Sequence, residues 1–253
     1  MIVCYDPRTG AGCDAQNPDG TPFCQKCSMF LAQAVRLYNV GDRVSSYRII
    51  QVLGHGGVGA VYEAEALPGV GLPGGVQPGQ RVALKENFDP ASLSQLQREF
   101  AALSRVDHPN LPCYYEVFAA GGNSYLVMEL VPGQNLQDVS AKRPGGLVES
   151  QVLGYAMQLC DALTCLHSQT PHILHRDIKP ANIRLTPEGL IKLVDFGLLK
   201  QGTGQTRNSI FGMGTLAYAP IEQYGSGGTN PRSDINSPGL VPGRVAHCFR
   251  VES

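Results

Sequence analysis

Residues Ile173–Leu185 read ILHRDIKPANIRL, and this stretch decides the fold. The segment before it, residues 148–167 (VESQVLGYAMQLCDALTCLH), repeats apolar residues at helical spacing and predicts a long helix. After it, IRL, TPEG and LIKLVDFGLLK predict two short strands joined by a turn. Asp177 and Asn182 therefore share one tight loop between a helix and a strand, and Asp195 leaves the next strand in Asp195-Phe196-Gly197. Carboxylate and amide oxygens brought together in this way are the hard donors that suit Mg²⁺.

Working towards the N-terminus, LGHGGVGAVYEAEA places Gly54, Gly56 and Gly59 in a G-x-G-x-x-G frame. In a dinucleotide-binding fold the third glycine opens a helix, whereas here AVYEAEA continues as an alternating strand, so the glycines sit in a hairpin turn. Glycine lets a backbone come close to a ligand's oxygen atoms. A Gly/Pro-rich loop, LPGVGLPGGVQPG, leads to a third strand, RVALKE, which carries Lys85. A helix follows, with Asp89 as cap, Pro90 at its first position and Leu93, Leu96, Phe100, Leu103 and Val106 as its apolar stripe; Glu99 borders that stripe. The helix is expected to stop by His108-Pro109-Asn110. Two more strands follow, the second being SYLVMEL, which ends in a hinge at Pro132-Gly133.

Taken together, V-A-L-K, H-R-D with its downstream Asn, and D-F-G resemble the eukaryotic-like serine/threonine protein kinases of bacteria, over about Tyr47 to Ser237. The resemblance implies an α+β, bilobal fold: an N-lobe of antiparallel sheet plus one helix over 47–130, and an incomplete, mainly helical C-lobe over 131–237. It implies transfer of the ATP γ-phosphate to Ser/Thr hydroxyls, with ATP and Mg²⁺ as cofactors. Lys85 would hold the α- and β-phosphates and pair with Glu99, while Asp177 orients and deprotonates the attacking hydroxyl. Asn182 and Asp195 would bind Mg²⁺, and Lys179 and Thr215 would support the phosphate and the catalytic aspartate. Leu53, Val61 and Ala83 would cover the adenine, Met128 and Glu129 would meet it at the hinge, and Gly54, Gly56 and Gly59 would cover the phosphates. Arg176 implies control by a phosphate at Thr203, Thr206 or Ser209. Lys85, Asp177, Asn182 and Asp195 are expected around a single cleft.

Three departures from that pattern stand out. Arg184 occupies the position beneath the adenine where the family usually has an apolar residue; its alkyl stem can serve instead. Ala219-Pro220-Ile221-Glu222 carries one more residue than the usual Ala-Pro-Glu. PRSDI looks like the entry to the long helix of the lower lobe, with Asp234 tying it to the catalytic loop, but Pro238, Gly239, Pro242 and Gly243 then interrupt any helical period. Residues 238–253 are read as an irregular tail with the character of an interrupted reading frame. An open C-lobe underside invites a covering partner. The competing function is a nucleotide-binding or scaffolding module that does not turn over.

Cys4, Cys13, Cys24 and Cys27 lie in residues 1–30 among Gly, Pro, Asn and Asp that form no core. Four thiolates around Zn²⁺ would order such a segment, and Cys24 and Cys27 have good ligand spacing. Cys4 and Cys13 are too far apart for a usual knuckle. The segment resembles the short zinc ribbons that precede some bacterial kinases; the other reading is a leader with idle thiols. Residues 31–46 are expected to be a linker whose Leu31 to Tyr38 portion forms a short helix.

With 20 basic and 21 acidic residues, the chain carries no charge excess to draw nucleic acid or an anionic membrane. No apolar run is long enough to span a bilayer, and the opening MIVCYDPRTG is not a secretory leader. A cytoplasmic protein without disulfides is expected, its partner a protein substrate bearing Ser or Thr.

Overall fold

The computed structural model describes residues 1–196, apart from 7–10, 33, 57–58, 70 and 144–146, together with Asp234. It divides into two units, Met1–Phe100 with Tyr114–Leu130, and Ala101–Cys113 with Val131–Ser253.

The first unit is built on two antiparallel sheets. The small one has the order β2-β1-β3, from Ile2–Tyr5 (β1), Gly12–Asn17 (β2) and Val35–Arg36 (β3). The large one has six strands: Arg43–Val44 (β4), Tyr47–His55 (β5), Gly59–Ala66 (β6), Arg81–Asn87 (β7), Tyr114–Ala120 (β8) and Asn123–Glu129 (β9), in the order β4-β5-β6-β7-β9-β8. Strand alternation sorts β6 cleanly, with Ala60, Tyr62, Ala64 and Ala66 buried on one face. On β7, Val82 and Leu84 join Tyr62, Tyr125 and Val127 in the core, so Ala83 and Lys85 fall on the opposite face of that strand.

Alternation also joins the two sheets. On β1, Ile2 and Cys4 pack with Cys24 and Leu31, while Val3 enters the core of the large sheet with Val35, Leu37, Val44 and Tyr47. Burying one such Val or Leu side chain contributes about 1.5–3 kcal/mol. The boundary drawn between residues 1–30 and the lobe beginning at residue 47 therefore separates segments that share a core. The expected helix over Leu31 to Tyr38 is replaced by strand β3. Eight residues gain little from an isolated helix, whereas the free edge of β1 offers Val35 and Arg36 a ladder with Val3 and Ile2.

Between the sheet strands, a 3₁₀ turn at Pro90–Ser92 leads into helix α1, Leu93–Leu103. Asp89 caps the turn, its carboxylate accepting from the Ala91 N–H at 3.0 Å. The helix stops before Val106, sooner than the apolar stripe predicts.

The second unit holds strand β10 (Gln134–Asn135), helix α2 (Leu136–Ala141), helix α3 (Glu149–His167) and strands β11 (Ile183–Leu185) and β12 (Ile191–Leu193). Strands β10-β11-β12 form a small antiparallel sheet. The α3 helix buries Val152, Leu159, Ala162, Leu163 and Leu166. Asn110 binds this helix to the sheet: its side-chain amide donates to Gln158 Oε1 at 2.9 Å and to the Ile191 carbonyl at 2.7 Å. Among the described residues no helix is long and apolar enough to cross a membrane.

Candidate active site and cysteine cluster

The loop between α3 and β11 is drawn together by short polar contacts. Lys179 Nζ lies 3.0 Å from Asp177 Oδ2, an ion pair only partly open to water. Asn182 Nδ2 donates to the same carboxylate oxygen at 3.0 Å and to the Asp177 carbonyl at 2.8 Å. That commits the amide nitrogen and turns the amide oxygen away from Asp177. The Asn182 carbonyl in turn accepts the N–H of Val194 at 2.8 Å, so the residue before Asp195 is fixed to the loop.

His175 is the hub beneath them. Fully buried, it accepts the Asp177 N–H at Nδ1 (3.3 Å), and its Nε2 lies 3.1 Å from the Val194 carbonyl. Those partners require a proton on Nε2 and none on Nδ1. Burial lowers the imidazole pKa against the opposing pull of Asp234, Asp177 and Asp195, which favours this neutral ring. The ring packs on Phe196 with centroids 4.5 Å apart.

Asp234 is fully buried and reaches the loop as expected, accepting the backbone N–H groups of His175 at 2.9 Å and Arg176 at 2.7 Å. Arg176 and Asp195 both adopt left-handed backbone, with φ of 66° and 61°. Non-glycine residues hold that conformation only where their surroundings enforce it. Arg184, at the position read as an adenine floor, donates through Nη2 to the Gly133 carbonyl across the small sheet.

In the first unit, Lys85 stands opposite Val61 and Leu126 in the sheet register, and Ala83 opposite Met128. Ala83 and Met128 are buried, Val61 is half-buried and Leu53 is exposed. Glu129 pairs with Val82 at the end of β9. Glu99 is only 3% exposed on α1, so it is no surface ion-pair residue. Gly54 and Gly56 have open space where a side chain would stand, while a Cβ on Gly59 would meet the Glu86 carbonyl oxygen at 2.0 Å. Of the three glycines expected in the turn, only Gly56 lies there: Gly54 pairs with Val61 near the end of β5, and Gly59 opens β6, where the missing side chain permits close packing on β7. Thr215, Thr203, Thr206, Ser209, Glu222 and residues 238–253 lie outside the described residues.

The four N-terminal cysteines converge. All four Sγ atoms lie within 4.8 Å of one another, with Cys4 and Cys27 at 3.4 Å and Cys13 and Cys24 at 3.6 Å. The wide spacing of Cys4 and Cys13 is absorbed by the β1–β2 hairpin, in which Tyr5 pairs with Gly12. Only glycine fits at that position: φ is 150°, and a Cβ would meet the Cys4 carbonyl oxygen at 2.0 Å. Burial drives the Cys4 thiol up to about 12. Burial also opposes ionisation of Cys24, but the Cys27 and Lys26 N–H groups and the neighbouring thiols outweigh it and lower Cys24 to about 6.

Two structural residues carry no clear mark in the sequence: Asn110, which stands there only as part of a helix stop, and Glu86. The Glu86 carboxylate is 3% exposed and accepts from Tyr62 (2.6 Å), Tyr125 (2.8 Å) and Asn123 (2.8 Å). The only signal in the sequence was a charged residue at an inward position of a core strand.

The protein kinase domain family matches residues 47–246, past the Ser237 limit of the sequence resemblance. The serine/threonine-protein kinase PrkC of Bacillus subtilis is 33% identical over 212 residues, covering 80% of this chain and 30% of PrkC. Serine/threonine-protein kinase B of Synechocystis is 32% identical over 244 residues, 88% of this chain and 38% of that protein. The chain thus spans about a third of the length of these curated relatives. Among solved structures, the kinase domain of Mycobacterium tuberculosis PknI matches with a TM-score of 0.61 at 24% identity, over 84% of this chain and 76% of that one, a likeness of fold. The chain belongs to the protein kinase family.

Proposed function

We propose that this chain is an ATP-dependent serine/threonine protein kinase whose catalytic base is Asp177. The observation that carries the reading is the Lys179–Asp177–Asn182 cluster, an ion pair at 3.0 Å and an amide contact at 3.0 Å on one short loop. Asp177 accepts the proton of a Ser or Thr hydroxyl as its oxygen bonds the γ-phosphorus and ADP departs. Lys179 stabilises the negative charge gathering on the transferred phosphoryl group. Lys85, paired with the buried Glu99, holds the α- and β-phosphates beneath the β5–β6 hairpin that carries Gly54 and Gly56, and Thr215 supports Asp177. Leu53, Val61 and Ala83 cover the adenine, with Met128 and Glu129 at its edge.

The Asn182 amide oxygen and the Asp195 carboxylate fit Mg²⁺, since both are hard oxygen donors. When bound, the ion neutralises charge on the phosphate oxygens.

The N-terminal cluster fits Zn²⁺. Zinc–sulfur bonds of about 2.3 Å in a tetrahedron place sulfurs under about 4 Å apart, close to the spacing of these four thiols. Cys4, Cys13, Cys24 and Cys27 would all be ligands, which suits the reducing cytoplasm.

The test is transfer of labelled phosphate from ATP to a Ser/Thr substrate, run beside Asp177→Asn, with zinc measured in the same protein. Transfer by the wild type and its loss in the variant are expected. If both are silent while the wild type binds MgATP, the chain is a nucleotide-binding module.

A further inference from the structure

The cysteine cluster and the strand carrying Lys85 are connected within the first unit by an unbroken set of contacts. The connection begins at β1, where Cys4 faces the thiol cluster and its neighbour Val3 faces the sheet core. Strand β3 pairs with β1 at Ile2 and Val3, and the Leu37 N–H donates to the Met1 carbonyl at 2.9 Å. The next residue, Tyr38, lays its ring against Tyr62 with centroids 5.7 Å apart, edge on, and its hydroxyl lies 2.8 Å from that of Tyr125.

The direction of the hydrogen bonds follows from counting protons. Tyr125 gives its one hydroxyl proton to Glu86, so Tyr38 is the donor to the Tyr125 oxygen. Tyr62 also donates to Glu86, so Tyr38 touches both phenols that hold this carboxylate. Burial and the carboxylate raise both phenol pKa values, so neither is ionised near neutral pH. Glu86 directly follows Lys85 on β7 and points to the opposite face of the strand. Its carbonyl oxygen is also the atom against which Gly59 packs. One buried residue therefore borders both the phosphate-binding lysine and the base of the glycine turn.

We infer that the cysteine cluster positions the nucleotide-binding strand: metal held by Cys4, Cys13, Cys24 and Cys27 fixes β1 and β3, and Tyr38, Tyr125 and Glu86 transmit that order to Lys85 and Gly59. Metal occupancy thereby sets the affinity for MgATP. This rests on the zinc and nucleotide readings above. A small module rich in Gly, Pro and Asp has little apolar surface with which to hold four thiols together unaided, so metal loss loosens β1 and frees Tyr38 from the phenol cluster. Glu86 and Tyr38 are positioning residues, since neither is placed on the nucleotide.

The experiment compares the full chain loaded with zinc and stripped by a chelator, beside Tyr38→Phe and Glu86→Gln. Zinc per chain, MgATP affinity by calorimetry and hydrogen exchange of the β7 amides are read in each, none of which needs turnover. Stripping is expected to weaken MgATP binding about fivefold or more and to speed exchange in β7. Tyr38→Phe is expected to keep its zinc, bind MgATP more weakly and respond much less to stripping; Glu86→Gln should behave alike. Should stripping unfold the whole chain, the zinc-loaded variants carry the comparison. Bound zinc with MgATP affinity and β7 exchange indifferent to stripping and to Tyr38→Phe overturns the coupling alone. Absence of bound zinc overturns the metal reading and the coupling with it, and absence of MgATP binding in the loaded wild type overturns the nucleotide reading.

Discussion

The Asp234 carboxylate accepts the backbone N–H of Arg176 at 2.7 Å, at the one residue of the HRD triplet whose backbone is left-handed. The same carboxylate takes the His175 N–H and lies 2.9 Å from His167 Nε2. Three groups thus depend on one fully buried side chain. Asp234→Ala strands two backbone donors and is expected to cost about 2–5 kcal/mol in urea unfolding. Asp234→Asn keeps one oxygen acceptor and should cost less. Both should abolish phosphate transfer, because the turn that aims Asp177 loses its restraint.

His175 makes stability depend on pH. Its imidazole pKa is lowered by burial, so just below its ordinary value of 6.5 the unfolded chain binds a proton that the folded chain refuses. Stability is complete above that value and falls as the solution is acidified through it, by up to about 1.4 kcal/mol per pH unit. Unfolding free energies measured between about pH 7.5 and 5.5 should show this slope, and His175→Asn should flatten it while lowering stability throughout.

What could be read from the sequence was local. Asp177 and Asn182 are legible because one short loop sets their relation, and the α3 helix because its apolar period persists over five turns. Strand β3 was not, because nothing within Leu31 to Tyr38 reveals the open edge of β1 on which Val35 settles. Glu86 looked like any strand-end carboxylate, since its partners Tyr62 and Tyr125 lie on other strands. The cysteine cluster fell between: Cys24 and Cys27 announced themselves by spacing, whereas Cys4 and Cys13 meet only through a hairpin that sequence distance conceals.

That hairpin gives a test of the cluster that leaves every cysteine in place. A methyl group at Gly12 would sit 2.0 Å from the Cys4 carbonyl oxygen, so Gly12→Ala must push β1 and β2 apart. Zinc content should fall well below that of the wild type. Substituting Gly20, which has no atom within 4 Å of a Cβ, strains its own turn but should leave zinc content unchanged. Metal analysis of the purified proteins checks both.

The glycine turn separates packing from ligand access in the same way. Gly59→Ala drives a methyl group into the Glu86 carbonyl oxygen at 2.0 Å, a clash with backbone that no rotamer relieves. Overpacking of this kind costs about 3 kcal/mol, and thermal unfolding should show it even without nucleotide. At Gly54 and Gly56 a methyl group meets nothing within 4 Å, so the folded protein should change by less than about 0.5 kcal/mol. MgATP binding should nonetheless weaken at Gly56→Ala, because the added group occupies the space a phosphate oxygen needs to approach the backbone. If Gly59→Ala left stability untouched, the close contact between the turn and β7 would be wrong. If Gly56→Ala left MgATP affinity untouched, the turn would not be the phosphate cover.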